Sequence, residues 1–258
     1  MPNLALAGVC VVSLAVAVFL WIDGAPGTIV LGPLYAFLVW ALIREIDPDH
    51  NWTALAGAAF TAIWALLGEP IMSGFAIAGL MLAARIATST TGRRPLLVDL
   101  VGATIFGVVI GYGVAGWVAG FGVAIAIYLD DRLSGDSHLA ATAAAAITAV
   151  GTTVVATASG SFPDRLPDIV EWVIIAAGVT ALLLIARDPA PPISQVDARH
   201  AAFIDRTRLH TSRSLIGCLV FLMSIFTGQE SEGLIVVIVA MGLVVISNEV
   251  ELVLRRHR

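Results

Sequence analysis

Long apolar runs alternate with short polar gaps along the chain, at 3–22, 28–43, 53–68, 70–86, 97–112, 113–129, 139–159, 168–186, 214–227 and 233–254. A helix of about 20 apolar residues crosses a hydrocarbon core of about 30 Å, so this pattern predicts membrane-spanning helices. The runs are far longer than the alternating segments of about ten residues that build outer-membrane barrels. The predicted fold class is all-α: a polytopic integral membrane bundle of about ten transmembrane helices arranged as five hairpins.

The stretch Leu97–Leu129 is too long for one ordinary span. Gly111-Tyr112-Gly113 supplies a turn that divides it. Charge tests this division. The chain has fourteen basic side chains, all arginine. With ten spans, every arginine except Arg165 falls on the side of the two termini. With nine spans, the better orientation leaves nine arginines on one side and five on the other. The positive-inside bias therefore predicts an inner-membrane, multi-pass protein with both termini cytoplasmic. The run at 3–22 reads as a retained span rather than a secretory signal. It has no basic residue before it, and Phe19-Leu20-Trp21-Ile22-Asp23 lacks a small-residue cleavage pattern.

Composition agrees with a membrane setting. Charged residues make up 13% of the chain, about half the typical soluble share of about 25%. Cys10 and Cys218 lie inside apolar runs without metal-ligand spacing, and read as small packing residues. Three regions follow: an eight-helix membrane region at 1–186, a cytoplasmic linker at 187–213, and a final hairpin with a basic tail at 214–258. Within the linker, Val196, Phe203 and Leu209 stand among charges, a pattern for an amphipathic helix on the inner leaflet. The expected partners are the bilayer, anionic lipids met by the cytoplasmic arginines, and a membrane-protein partner or a second copy. Nothing points to nucleic acid.

Chemistry gathers in the inner connections. Arg44-Glu45-Ile46-Asp47-Pro48-Asp49-His50 offers carboxylates for a divalent cation, although the same residues suit a turn before a helix. Arg93 and Arg94 follow a Thr- and Ser-rich stretch and suit a phosphate or lipid head group. A third connection carries Asp130-Asp131-Arg132-Leu133-Ser134. This short piece resembles the paired-aspartate motif of the polyprenyl-phosphate sugar-phosphate transferases. The Asn- and Asp-rich segments that accompany it there are absent, so the resemblance stops at this stretch. Should these loops converge, Asp47, Asp49, Asp130 and Asp131 form a candidate metal site beside Arg93 and Arg94. A divalent cation is the cofactor that an enzyme reading implies.

Within the spans, Gly107-x-x-x-Gly111 and Gly116-x-x-x-Gly120 suit close helix packing. The span at 139–159 carries Thr148, Thr152 and Thr153, which either line a solute pathway or bond back to their own helix. They complete, with Arg93 and Arg94, the candidate substrate-binding set. No ionisable residue falls at the centre of a span, which argues against a proton pump or a charged channel filter. The leading reading is a permease for a small or amphiphilic solute, similar in helix count to the drug/metabolite transporters but without their motifs. The alternatives are a non-enzymatic scaffold or complex subunit, and a cytoplasmic-face enzyme acting on a phosphorylated lipid.

Overall fold

The computed structural model describes residues 27–67, 73–89, 96–113, 115–135, 138–161, 176, 195–197, 202–203, 205–226 and 234–256. The predicted spans at 3–22 and 168–186 lie outside these residues, apart from Ala176, which is helical. The described part is helical, with α1 Gly27–Ile46, α2 Asn51–Leu66, α3 Gly74–Thr88, α4 Leu97–Ile110, α5 Gly116–Leu133 and α6 Leu139–Ser159. Two short strands follow, β1 Gln195–Asp197 and β2 Ala202–Phe203, paired antiparallel. The chain then forms α7 Arg206–Phe226 and α8 Ile235–Arg256.

Local chemistry accounts for several boundaries. The long run does break at Gly111-Tyr112-Gly113, with α4 ending at Ile110 and α5 opening at Gly116. At the head of α4, the Asp99 carboxylate accepts the Leu96 backbone N–H at 2.8 Å, satisfying one of the donors that a helix start leaves open. Gly160 closes α6 in the left-handed conformation at φ 65°, where a glycine carries no Cβ penalty. Helix α1 continues through Pro33, so Gly32-Pro33 does not break it.

The linker differs from its sequence reading. Its N-terminal part supplies the strand pair, and Arg206–Arg213 are the first two turns of α7 rather than a separate surface helix. Asp205 sets that start: its Oδ1 accepts the Thr207 N–H at 2.8 Å, the usual N-cap bond. Leu209, Arg213, Ile216, Val220 and Met223 are then buried at helical spacing. One buried stripe runs through the polar turns into the apolar ones and holds both against the bundle.

Helices α2, α1, α3, α5 and α6 follow one another as neighbours. Helix α4 lies on α5 and α6, α7 on α3 and α5, and α8 on α2 and α1. The core is made mostly of small and branched residues, including Ala76, Leu80, Ala83 and Ala87 of α3 and Ala119, Val123 and Ile127 of α5. Close approach is tightest where α4, α5 and α6 meet. A methyl group placed on Gly120 would fall 2.5 Å from the Gly107 carbonyl oxygen, so this crossing excludes any larger residue. The two glycine pairs predicted to pack do so here.

Two helices, α6 and α7, are long and apolar enough to cross a membrane by length and composition. Helices α3, α4 and the stretch Ile235–Ile246 are apolar but shorter. Helices α4 and α6 carry exposed apolar stripes: Val98, Val101, Ile105 and Val109 on one, Ile147, Val150 and Val154 on the other.

Candidate functional site

Hydrogen bonds gather the ends of α1, α3 and α5 around the start of α7. Ser89 caps α3 in the left-handed region at φ 51°, the one positive φ at a non-glycine among the described residues. That conformation costs an L-residue roughly 1–2 kcal/mol. It lets the hydroxyl bond Asp130 Oδ1 at 2.9 Å, while Arg208 Nη1 donates to Ser89 Oγ at 3.0 Å. Arg208 Nη1 also lies 2.5 Å from Asp130 Oδ1, and its Nη2 donates to Ser134 Oγ at 2.8 Å. One guanidinium thus holds α3, α5 and α7 together.

A second arginine repeats the device one and a half turns further along α7. Arg213 is buried, its Nε donates to the Ile46 carbonyl at 2.6 Å, and its Nη2 lies 3.7 Å from Asp47 Oδ1. Asp47 also meets His50 Nδ1 at 2.8 Å and accepts the Thr53 hydroxyl at 3.1 Å. Arg213, His50 and Thr53 thus surround a carboxylate that is 1% exposed. A buried charge of this kind is tolerated only when paired and hydrogen-bonded.

Asp131 differs from both. It is 4% exposed, and its Oδ1 accepts the His138 backbone N–H at 2.8 Å. Its Oδ2 is buried without a hydrogen-bond partner. Asp131 sits in the wall of a cavity of about 230 Å³ bounded by the ends of α3 and α5 and the starts of α4 and α6. Ile86, Leu97, Leu100 and Ile127 supply apolar wall, and Asp130, Ser134 and His138 complete the polar side. Arg208 offsets the charge of Asp130, which leaves Asp131 as the unbalanced charge on this wall. Asp131 Oδ2 shares its buried, unbonded condition with Trp40 Nε1, Thr104 Oγ1 and Trp117 Nε1, but it is the only one of the four that is a carboxylate oxygen. A buried polar atom of this kind calls for a water, an ion or a ligand.

The sequence candidates divide accordingly. Asp130 and Asp131 belong to this cavity, whereas Asp47 is engaged by Arg213 and Asp49 is exposed on the α1–α2 connection. Arg208 and Arg213 stand five residues apart, about 7.5 Å of helix rise, so the two aspartate groups serve separate arginines. Among the described residues no three His, Cys, Asp or Glu side chains converge as a metal site. Among the described residues these aspartates are two arginine-paired carboxylates, Asp47 and Asp130, one cavity carboxylate, Asp131, and the exposed Asp49. Arg93 and Arg94 lie outside the described residues.

The hydroxyls of Thr148, Thr152 and Thr153 on α6 all bond to backbone carbonyls. Thr148 donates to the Ala144 carbonyl and Thr153 to the Ala149 carbonyl, each at 2.8 Å. Thr152 reaches across to the Gly107 carbonyl of α4 at 3.0 Å. Thr148 and Thr152 are fully buried at the glycine crossing, while Thr153 is exposed.

The residues that sequence reading missed are Arg208 and Arg213 as structural partners, together with Ser89. The signal for the arginines was available: carrying the stripe Met223, Val220, Ile216 back at helical spacing reaches Arg213 and Leu209. No pattern marks Ser89, whose role depends on a backbone conformation. Comparison with family models, with curated proteins and with solved structures gives no match in any of the three.

Proposed function

We propose that this chain is a multi-pass inner-membrane permease for a small or amphiphilic solute, with ten spans and both termini cytoplasmic. One observation carries the reading: a buried carboxylate oxygen without a partner, in the wall of a cavity at the arginine-bearing end of the bundle. A purely structural subunit gains nothing from such a group, because leaving it unsatisfied costs about 1–3 kcal/mol. A solute site does use it, since binding pockets combine apolar walls with a few placed polar groups. The exposed apolar stripes of α4 and α6 support lipid contact, since water-facing stripes of this kind favour aggregation. The solute contacts then move from the threonines of α6 to the cavity at Asp131.

The test is solute counterflow in proteoliposomes, using radiolabelled benzamidine, benzamide and benzoate as cationic, neutral and anionic probes of one size. Saturable exchange of at least one, above protein-free vesicles, is the expected result. Exchange of all three at the protein-free rate removes the permease reading and leaves the scaffold reading standing.

A further inference from the structure

We infer that the Asp131 cavity is a binding site for a small organic monocation that carries N–H donors on an apolar body, such as an amine, amidine or guanidine. The inference deepens the permease reading and rests on it for any movement of the ligand across the membrane. Four features of the cavity point to this class. Its charge is negative, because Asp130 is paired with Arg208 while Asp131 has no ionic partner among the described residues. Its unsatisfied atom is an acceptor, so the missing partner must be a donor. Asp131 Oδ1 already takes the His138 N–H, which leaves Oδ2 for a ligand. Apolar side chains such as Ile86, Leu97 and Leu100 line the rest, so the remainder of the ligand is hydrocarbon.

Size narrows the class. A dry cavity of about 150 Å³ accepts benzene, and this one measures about 230 Å³. A single ring bearing one cationic group fits this volume. Asp131 Oδ2 has almost no accessible surface of its own. Entry of the ligand therefore includes a small rotation of this carboxylate toward the cavity. An amidinium suits the site because one of its N–H groups can bond Oδ2 while its positive charge strengthens that bond.

Equilibrium dialysis of radiolabelled benzamidine against the full chain in mild detergent tests the site. Saturable binding at one molecule per chain is expected, with benzamide, its neutral isostere, at least about 10-fold weaker. Asp131→Asn is expected to weaken benzamidine by about 10-fold or more and to erase the preference over benzamide. Val154→Ala, exposed on α6 and remote in sequence from the cavity residues, is expected to leave both unchanged. No saturable benzamidine binding, equal affinity for the two probes, or full affinity in Asp131→Asn would each overturn the assignment. The benzamidine–benzamide comparison uses the unaltered chain, so it decides even where the variant fails to assemble. Binding without counterflow removes the permease and keeps the site. Counterflow of another probe without benzamidine binding does the reverse.

Discussion

Arg208 Nη1 stands 2.5 Å from Asp130 Oδ1, joining the first turn of α7 to the last turn of α5 across 78 positions of sequence. The same guanidinium reaches Ser89 and Ser134, so three helix ends depend on one side chain. Both partners are largely buried, at 13% and 9% side-chain exposure, and removal of either leaves the other uncompensated. Arg208→Met should cost about 3 kcal/mol, read as a lower midpoint of thermal unfolding in detergent. Adding Asp130→Asn should recover part of that loss. Losses that simply add in the double variant would show that the two groups are not coupled.

Ser89 offers a separate test of the same junction. Its φ of 51° suits glycine better than any other residue. Ser89→Ala loses the hydroxyl and keeps the strain, whereas Ser89→Gly loses the hydroxyl and relieves it. The glycine variant should therefore be the more stable of the two by about 1 kcal/mol. A more stable alanine variant, measured by the same melting experiment, would mean that the left-handed cap does not form.

Gly120 faces the Gly107 carbonyl and the Thr152 side chain. The carbonyl is backbone and cannot rotate away, so Gly120→Ala must push α5 from α4. A loss of about 1–3 kcal/mol is expected. Thr152→Val removes only the 3.0 Å bond to Gly107 and should cost about 0.6 kcal/mol, the average for hydrogen bonds between membrane helices. Thr153→Val should change nothing measurable. The order Gly120, Thr152, Thr153 is the outcome to check by melting, and any reversal counts against the crossing.

Topology is checked by single cysteines in a chain whose Cys10 and Cys218 are replaced by serine. Tyr112, exposed at the turn between α4 and α5, and Asp49, exposed between α1 and α2, should lie on opposite sides of the membrane. An impermeant maleimide should label Tyr112→Cys in intact cells, and Asp49→Cys only after permeabilisation. Labelling of both in intact cells would rule out the ten-span arrangement.

The helices themselves were legible because their cause is local. Apolar run length placed the segments at 28–43, 53–68, 70–86, 97–112, 113–129, 139–159, 214–227 and 233–254, each now represented by a described helix. The distribution of arginine divided Leu97–Leu129, and the chain does turn there. The glycine pairs were legible for the same reason, since a residue without a side chain on an apolar helix has few other uses. The start of α7 was not: its turns are polar, and hydropathy assigns polar turns to a linker. Only the buried stripe from Leu209 to Met223 shows that they continue the helix.

By itself, the sequence determined how the chain divides into apolar helices and where its acidic and basic groups cluster, because both follow from the order of residues. Tertiary structure decided which charge meets which. Asp130 and Asp131 are adjacent in sequence and identical in chemistry and both line the cavity, yet helix geometry turns one toward Arg208 and the other toward the His138 backbone. Neighbouring positions on a helix point about 100° apart, so their fates depend on what packs against each direction. In the same way, Thr148 and Thr152 are buried against Gly107 and Gly120 because α4 and α5 approach closely there.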